Sequence, residues 1–240
     1  MTSARLFNDN ACSEVVTLSD GRRCIVIDEA LLSPDRLLDY AAENSASFAS
    51  ANFNYYPGVL LSVSQEVSSG LAGFFNSHVR RHFDARRLER MHCRLSLVTR
   101  VSTELEPVQC LCHRDSPMLS PRSSIQACIL YLFKDAELGG TSFYEPKRAP
   151  ADIDRLFADA QKLPREAFFA QYGIERAYPH GSNEWFTQVG RIEARWNRCI
   201  FFDGFGFHSG DVAAPDRLSA DPRVGRLTLN GFFTSRRNLK

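Results

Sequence analysis

Short strand-like runs fill the chain from residue 91 onward. Met91, Cys93, Leu95 and Leu97 alternate with a second set of residues, a period of two that places the four side chains on one face of a strand. Further strand-like runs cover residues 108–114, 125–133, 141–144, 185–193, 198–203 and 226–233. Turns rich in Gly, Pro and Asn separate these runs. The pattern predicts a mainly β fold, either a sandwich or an open barrel.

The N-terminal part, residues 1–90, is predicted to support this β-rich region. Residues 23–28 have the composition of a short strand. Ser33 is expected to cap a helix that has Pro34 at its first position. A second helix is expected over residues 65–83, because apolar side chains recur there at helical spacing.

Residues 152–172 interrupt the series of strands. They are charged, rich in Phe and Ala, and helical in pattern, with one break at Pro164. We therefore predict a helical insertion over about 147–183, whose role as a lid or a dimer contact the sequence leaves open. Because no linker composition is found, we expect one domain over 1–240, with its β core at 91–233.

Charge and hydropathy exclude some classes of function. The 240 residues include 29 Lys and Arg and 28 Asp and Glu, a formal net charge of +1, so we expect no nucleic-acid partner. Arg80-Arg81 with Arg86-Arg87 is the candidate for a local basic patch, although a solvated helix face explains the same residues. No apolar stretch approaches the roughly 18 residues of a membrane span, so no membrane partner is expected.

The cysteines and the N-terminus indicate a cytoplasmic protein. Seven cysteines without regular spacing are typical of reduced thiols. Cys110 and Cys112 lack the second cysteine pair of a structural zinc site and are interpreted as thiols buried on a strand. The first residues contain no apolar run of the kind found in a secretory signal.

His113 and Asp115 stand two positions apart, and His208 follows much later. On an extended strand, residues i and i+2 point to the same face, so His113 and Asp115 can bind one metal ion together. Two imidazoles and one carboxylate are the ligand set of an iron(II) ion that keeps open coordination positions. We therefore predict that His113, Asp115 and His208 form a catalytic iron site.

Six features around these residues follow one another in the order found in one family. They are the His-Arg-Asp-Ser-Pro segment at 113–117, the Tyr-Leu strand at 129–135, the Gly-Gly hairpin at 139–143, the strand at 198–203, the Phe-His-Ser segment at 207–209 and the strand at 225–230. In these features the region resembles the iron(II)/2-oxoglutarate-dependent dioxygenases, especially their prolyl-hydroxylase-like branch. The resemblance implies a double-stranded β-helix core (jelly-roll or cupin-like) with flanking helices. It also implies a hydroxylase that uses iron(II), 2-oxoglutarate and O2 and releases succinate and CO2.

The same resemblance implies a site for 2-oxoglutarate on the last strand. Arg226 and Thr228 match the basic residue and the hydroxyl two places on, and Tyr131 is a further hydroxyl donor. In the family the basic residue follows the distal histidine by about ten positions, whereas Arg226 follows His208 by 18. Arg217 has the usual spacing but lies in a loop-like sequence, so Arg226 is preferred. Tyr131 is equally a core tyrosine, and Thr228 a simple β-former.

Substrate recognition is predicted from fewer residues. Tyr55 and Tyr56, in an aromatic turn, and Arg94, on the first core strand, are candidate substrate contacts; a packed loop and a solvent-exposed arginine are the alternatives. Analogy with prolyl hydroxylases favours an amino acid, a peptide or a peptide-like metabolite as the substrate, a small molecule or peptidyl group whose identity the fold does not fix. An oxygenase acting on a non-peptidic metabolite, a non-catalytic cupin-like binding module, and a zinc or manganese enzyme remain alternatives. The oligomeric state is left open.

Overall fold

Two antiparallel β-sheets form the centre of the molecule. The structure is a computed structural model that describes residues 5–50, 56–115 and 120–237. Its strands are β1 (Ser13–Thr17), β2 (Arg23–Ile27), β3 (Ala49–Ser50), β4 (Gly58–Ser62), β5 (Arg87–Val98), β6 (Ser123–Tyr131), β7 (Thr141–Pro146), β8 (Phe186–Ile192), β9 (Cys199–Asp203), β10 (Phe207–Gly210) and β11 (Arg226–Arg236). Its α-helices are α1 (Asp35–Glu43), α2 (Gln65–Phe74), α3 (Pro150–Lys162) and α4 (Arg165–Tyr172).

The large sheet has the order β1-β2-β9-β6-β11-β5-β4-β3, and the small sheet has the order β10-β7-β8. Each ladder between the described strands is antiparallel. The N-terminal strands therefore extend the sheet that the later strands build, because β2 pairs with β9 and β4 pairs with β5.

Side-chain alternation divides the large sheet into two chemically different faces. On β5 and β11 the apolar residues Leu95, Leu97, Leu227 and Leu229 are fully buried in a cluster that includes residues of α1 and α2. The alternate residues face the small sheet and include buried polar side chains such as Thr228. Helices cover the outer face, so the polar inner face is left for a site between the sheets.

The predicted helical insertion is confirmed in its helices and in its break. Helix α3 ends before Pro164 and α4 begins after it. Pro164 has no backbone N–H and disfavours a helical conformation at the preceding residue, which explains the break. Leu156 and Phe168, from the two helices, are fully buried in a cluster with Phe207 of β10, so the insertion packs against the small sheet.

Three sequence predictions differ from the structure. Residues 108–114 do not form a strand: a 3-10 turn covers Pro107–Cys110, closed by a capping box of Glu106 and Gln109, and of this stretch only His113 forms a β-bridge. The helix predicted over residues 65–83 ends at Phe74 and continues as a π-helical turn, Phe75–Val79, and a 3-10 turn. The first helix has Pro34, not Ser33, in its N-cap position. In the described ranges, no helix combines the length and apolar character that crossing a membrane requires.

Candidate metal centre and its cavity

His113 and His208 lie opposite each other in an isolated antiparallel bridge. The backbone N–H of each residue donates to the carbonyl oxygen of the other, at 2.9 Å in both directions. Directly opposed residues of a hydrogen-bonded antiparallel pair point to the same face, so the two imidazoles become neighbours, with ring centroids 4.5 Å apart. A full strand was expected at His113; the structure has this single bridge instead, and it places His113 beside His208.

Asp115 completes the group from the same segment as His113. Its N–H donates to the carbonyl oxygen of Gly204, in the turn between β9 and β10, at 2.9 Å. Its Oδ2 lies 3.5 Å from His208 Nε2, and its Oδ1 lies 3.9 Å from His113 Nε2. One ligand atom from each of the three residues lies within 4.8 Å of the others, and among the described residues this is the one group of three or more metal-binding side chains.

Electrostatics in the group favour an ionised carboxylate. Burial alone would raise the pKa of Asp115, but His208, His113 and Arg94 outweigh it and hold that pKa below its ordinary value. Burial would lower the pKa of His208, yet Asp115 raises it. Enclosure by protein atoms and the neighbouring His208 lower the pKa of His113 to about 4, even though 53% of its side-chain surface faces the space of the cavity. Neutral His113 and ionised Asp115 are the forms that bind metal.

The three residues fit a divalent metal ion. Asp115 Oδ2 is buried and accepts no hydrogen bond from the described residues, which is the state expected of an oxygen reserved for a cation. His208 Nδ1 lies 2.9 Å from the carbonyl oxygen of Gly206, to which it can donate, leaving Nε2 as the lone-pair atom directed at Asp115. Neighbouring ligand atoms about 2.1 Å from one ion lie about 3.0–3.4 Å from one another, so the observed 3.5 and 3.9 Å would have to shorten by less than about 1 Å.

A cavity of about 1020 Å³ opens over this group. Its floor is the inner face of β5, β6 and β11, and α3 forms an opposite wall through Phe157, Gln161 and neighbouring residues. Pockets for small organic ligands have volumes of about 300–1,000 Å³. The cavity can therefore hold a small co-reactant and a second molecule at the same time.

Arg226 lines one end of the cavity and is 4% exposed. Its Nε donates to the carbonyl oxygen of Leu138 at 2.9 Å and its Nη2 to that of Gly140 at 2.7 Å, so the side chain is held in place from the Gly-Gly hairpin. Gly139, with φ +81, must be glycine because a Cβ there would lie 1.5 Å from the carbonyl oxygen of Asp211.

Arg217, the alternative by spacing, is placed elsewhere. It is 53% exposed and forms ion pairs with Asp135 and Glu137. It is not among the residues that line the cavity, so the structure brings Arg226, and not Arg217, to the cavity that contains the metal-binding group.

Thr228 and Tyr56 lie at the same end of the cavity as Arg226. The Thr228 hydroxyl donates to the carbonyl oxygen of Ser96 at 3.4 Å. Burial raises the pKa of the Tyr56 phenol to about 12, although the nearby guanidinium groups of Arg226 and Arg94 act in the opposite direction. Tyr56, predicted as a substrate contact, is therefore a neutral hydroxyl beside the predicted 2-oxoglutarate residues.

Among the described residues, one predicted cosubstrate residue, Tyr131, is not brought to the cavity. Tyr131 is fully buried, its hydroxyl lies 2.8 Å from Thr141 Oγ1, and it is absent from the cavity wall, a placement that fits the core-tyrosine interpretation. Tyr55 lies outside the described residues.

Arg94 does line the cavity, and the residues around it were missed by the sequence analysis. Asn230 of β11 is the direct pairing partner of Arg94. The buried Oδ1 of Asn230 accepts no hydrogen bond from the described residues. Phe232, two positions on, stacks on His92 with ring centroids 4.9 Å apart, and Arg94 lies over the same ring at 5.6 Å. The period of two that linked Arg226 to Thr228 could have identified Asn230 and Phe232 as well.

The comparison with known families gives one match over most of the chain. A family model described as "Family of unknown function (DUF6445)" matches residues 9–233. No curated protein matches the chain.

Solved structures with a similar fold include three with informative names. SnoK, a non-heme alpha ketoglutarate dependent carbocyclase from nogalamycin biosynthesis, is 13% identical, with 90% of this chain and 80% of SnoK covered and a TM-score of 0.50. HygX from Streptomyces hygroscopicus, solved with nickel, 2-oxoglutarate and hygromycin B, is 10% identical, with 90% and 84% covered and a TM-score of 0.47. A prolyl 4-hydroxylase from Phytophthora capsici is 13% identical, with 89% of this chain but only 58% of that protein covered and a TM-score of 0.44. The similarity to SnoK confirms the double-stranded β-helix fold expected from the sequence.

Proposed function

The chain belongs to the DUF6445 family, and from its site we propose that it is an iron(II)- and 2-oxoglutarate-dependent oxygenase that hydroxylates an unactivated C–H bond. The observation that carries the proposal is the presence of His113, Asp115 and His208 in one cavity with the buried guanidinium of Arg226. A metal-binding group next to a fixed cation suits a co-reactant that chelates through one end and carries a carboxylate at the other.

His113, Asp115 and His208 would hold iron(II). When bound, the ion supplies coordination sites for the keto acid and oxygen and the redox chemistry that oxidises an aliphatic carbon. The protein contributes rigid ligands: the backbone bridge fixes His113 against His208, and Gly206 orients the His208 ring. Such support of ligands typically controls metal affinity and orientation.

Arg226 is suited to bind the far carboxylate of 2-oxoglutarate. Of its five N–H donors, one on Nε and one on Nη2 are used by the two backbone carbonyls. The remaining donors, two on Nη1 and one on Nη2, form a fork with the geometry of a carboxylate. The Tyr56 hydroxyl lies beside it and can donate to the same anion. The Thr228 hydroxyl can donate there only after it leaves the carbonyl oxygen of Ser96.

The wall formed by α3 would exclude water from the reacting carbon. Phe157 stacks on Phe207, the residue before His208, with ring centroids 6.0 Å apart. The guanidinium group of Arg114 also lies over the Phe207 ring, 4.6 Å from its centroid. These contacts attach α3 to β10, so a substrate in the cavity would lie between α3 and the inner face of the sheet.

We propose an amino acid, a peptide or a peptide-like metabolite as the substrate, and a metabolite without peptide character as the alternative. The preference rests on the resemblance to prolyl hydroxylases, and Arg94 with Asn230 supports it by offering donors to a carboxylate or an amide. We also propose that residues 1–90 belong to the same domain as the core, since β2 and β4 extend its sheet.

Release of succinate tests the proposal. Purified protein with iron(II), ascorbate and 2-oxoglutarate should produce succinate without added substrate, and Asp115→Ala should abolish it. The matched control is Asp154→Asn, which removes another carboxylate from the cavity wall. Metal and 2-oxoglutarate binding without turnover would favour a binding module. Metal-dependent activity on a candidate substrate without 2-oxoglutarate would favour a zinc or manganese enzyme.

A further inference from the structure

A second, smaller concavity of about 250 Å³ lies on the surface near the main cavity. Four of its lining residues are arginines: Arg86, Arg122, Arg236 and Arg237. Glu89 is its one acidic residue, and the others are serines. We name this concavity, lined by these seven residues, the arginine pocket. A chain with formal net charge +1 has thus concentrated positive charge at one place.

The positive charge of the arginine pocket is poorly compensated. Arg236 forms an ion pair with Glu89. Arg237 donates through Nε to the carbonyl oxygen of Ser123, at 2.8 Å, and pairs with no carboxylate among the described residues. Within residues 5–50, 56–115 and 120–237, neither Arg86 nor Arg122 has a carboxylate partner. Like charges held together repel, so the pocket favours an anion that relieves the repulsion.

The arginine pocket and the main cavity lie on the same face of the large sheet. Ser123 lines the pocket and Ile125 lines the cavity. The two residues are two apart on β6 and therefore share a face at a spacing of about 7 Å. Arg236 of β11 pairs directly with Ser123, so it continues the same face.

The turn that holds Asp115 connects the pocket with the metal ligands. A Cβ built on Gly204 would lie 3.2 Å from Ile125 Cγ2 and 2.8 Å from Asp115 Oδ2, so Ile125 and Asp115 are neighbours. The next residue, Phe205, has the guanidinium of Arg237 5.8 Å from its ring centroid. With about 3.3 Å per strand residue, the pocket is on the order of 10 Å from the ligand group.

We propose that the arginine pocket binds a phosphoryl group of the substrate, whose reacting carbon enters the neighbouring cavity. Guanidinium groups bind phosphate oxygens as a bidentate fork, and a phosphate monoester carries about −1.5 to −2 charges at neutral pH. The four arginines and Glu89 together carry a formal charge of +3. A phosphoryl group balances this charge better than a ligand with a single carboxylate does. The volume of the pocket suits one such group of a small molecule and not an extended polyanion.

The assignment of the phosphoryl group to the substrate rests on the proposed oxygenase function. Binding of phosphate to the arginine pocket does not depend on that function, because none of the metal ligands lines the pocket. The two can therefore be tested separately: phosphate binding on metal-free protein, and succinate release on wild-type protein with iron(II).

Calorimetric titration of the metal-free protein with inorganic phosphate and with pyrophosphate is the test. We expect one saturable site, weakened at least tenfold in the double variant Arg86→Gln/Arg122→Gln. The matched control Arg148→Gln/Arg155→Gln removes two exposed arginines that pair with acidic residues of the insertion region, and its binding should equal that of the wild type. The single variant Arg122→Gln should bind phosphate more weakly than the wild type and more tightly than the double variant. This graded loss would distinguish a lost contact from a folding defect.

Three results would overturn the proposal. They are the absence of saturable binding, equal binding by the double variant and the wild type, and tight binding of a single-stranded oligonucleotide that millimolar phosphate does not displace. The last result would indicate a nucleic-acid surface instead. Phosphate binding in a protein that releases no succinate would support the anion site and count against the oxygenase function alone.

Discussion

His113 and His208 exchange both of their backbone hydrogen bonds, at 2.9 Å each, although they lie on segments far apart in the chain. The pairing fixes the position of one imidazole relative to the other before any ion is bound. The bridge is isolated: within the described ranges, His113 belongs to no strand. The geometry of the ligand group therefore depends on one ladder step and on the contact between Asp115 and Gly204.

Replacing Arg226 should affect 2-oxoglutarate specifically. Arg226→Gln removes the charged fork, so we expect the KM for 2-oxoglutarate to rise about 10- to 100-fold, the loss typical of one hydrogen bond to a charged group. Arg217→Gln, which removes an arginine that pairs with Asp135 and Glu137, is the control and should leave that KM unchanged. A raised KM in Arg217→Gln together with an unchanged KM in Arg226→Gln would mean that Arg217 binds 2-oxoglutarate. Initial rates of succinate release at varied 2-oxoglutarate measure both.

Metal ions should stabilise the fold. At 100 times its dissociation constant, a ligand specific to the folded state stabilises by about 2.7 kcal/mol, a rise in melting temperature of about 5–10 °C for a chain of this size. Manganese(II) or cobalt(II) avoids oxidation during a thermal unfolding experiment. His208→Ala should abolish the rise, and an equal rise in that variant would place the metal elsewhere.

A side chain at Gly204 should disturb the position of Asp115. A Cβ at this position would lie 2.8 Å from Asp115 Oδ2 and 3.2 Å from Ile125 Cγ2, so Gly204→Ala must displace the carboxylate. We expect metal affinity to fall about 10- to 100-fold, as for other residues that position ligands. Titration with cobalt(II), followed by its absorption spectrum, measures the change.

The control for this substitution is Gly73→Ala in α2. A Cβ at Gly73 meets nothing within 4 Å. We expect metal affinity to stay at the wild-type value and the free energy of unfolding to rise by about 0.5–1 kcal/mol, because alanine is the better helix former. Equal metal affinity in the two variants would show that Asp115 can move without loss of function.

The sequence predicted the strands that carry a clear alternation. β5 and β11 could be located because apolar residues recur at every second position, and the same rule placed Arg226 and Thr228 on one face. The insertion was predictable because Pro164 marks the break between its helices. These are local signals, which depend on neighbours in the chain.

The rest depends on pairing between distant segments. Residues 108–114 have strand-like composition, but Pro107 and a capping box close a turn there. Tyr56 meets Arg226 only because β4, β5 and β11 are adjacent in the sheet. The sequence suggested a patch at Arg80-Arg81 and Arg86-Arg87, whereas the pocket joins Arg86 to arginines near β6 and β11. Which distant strands become neighbours in a sheet is set by tertiary packing, and no local pattern in the sequence reports it.

Acid should weaken the fold through Asp28. Both of its carboxylate oxygens accept hydrogen bonds from Arg198, at 2.6 and 2.9 Å, and join the end of β2 to the start of β9. The bond to Arg198, aided by its charge, holds the pKa of Asp28 below its ordinary value against the effect of burial. A depressed folded-state pKa gives stability that is present above the unfolded pKa of about 3.9 and is lost as the pH falls through the folded value.

The comparison of wild type with Asp28→Asn isolates this contribution. The carboxylate is about half exposed, so the difference in free energy of unfolding at pH 7 should be about 1 kcal/mol or less. It should stay constant down to about pH 5 and shrink below pH 4, because the wild-type carboxylate then takes up the proton that the amide cannot accept. Urea unfolding across this pH range measures the difference. A difference that persists unchanged at pH 2 would mean that Asp28 stabilises the junction of β2 and β9 by packing and not by charge.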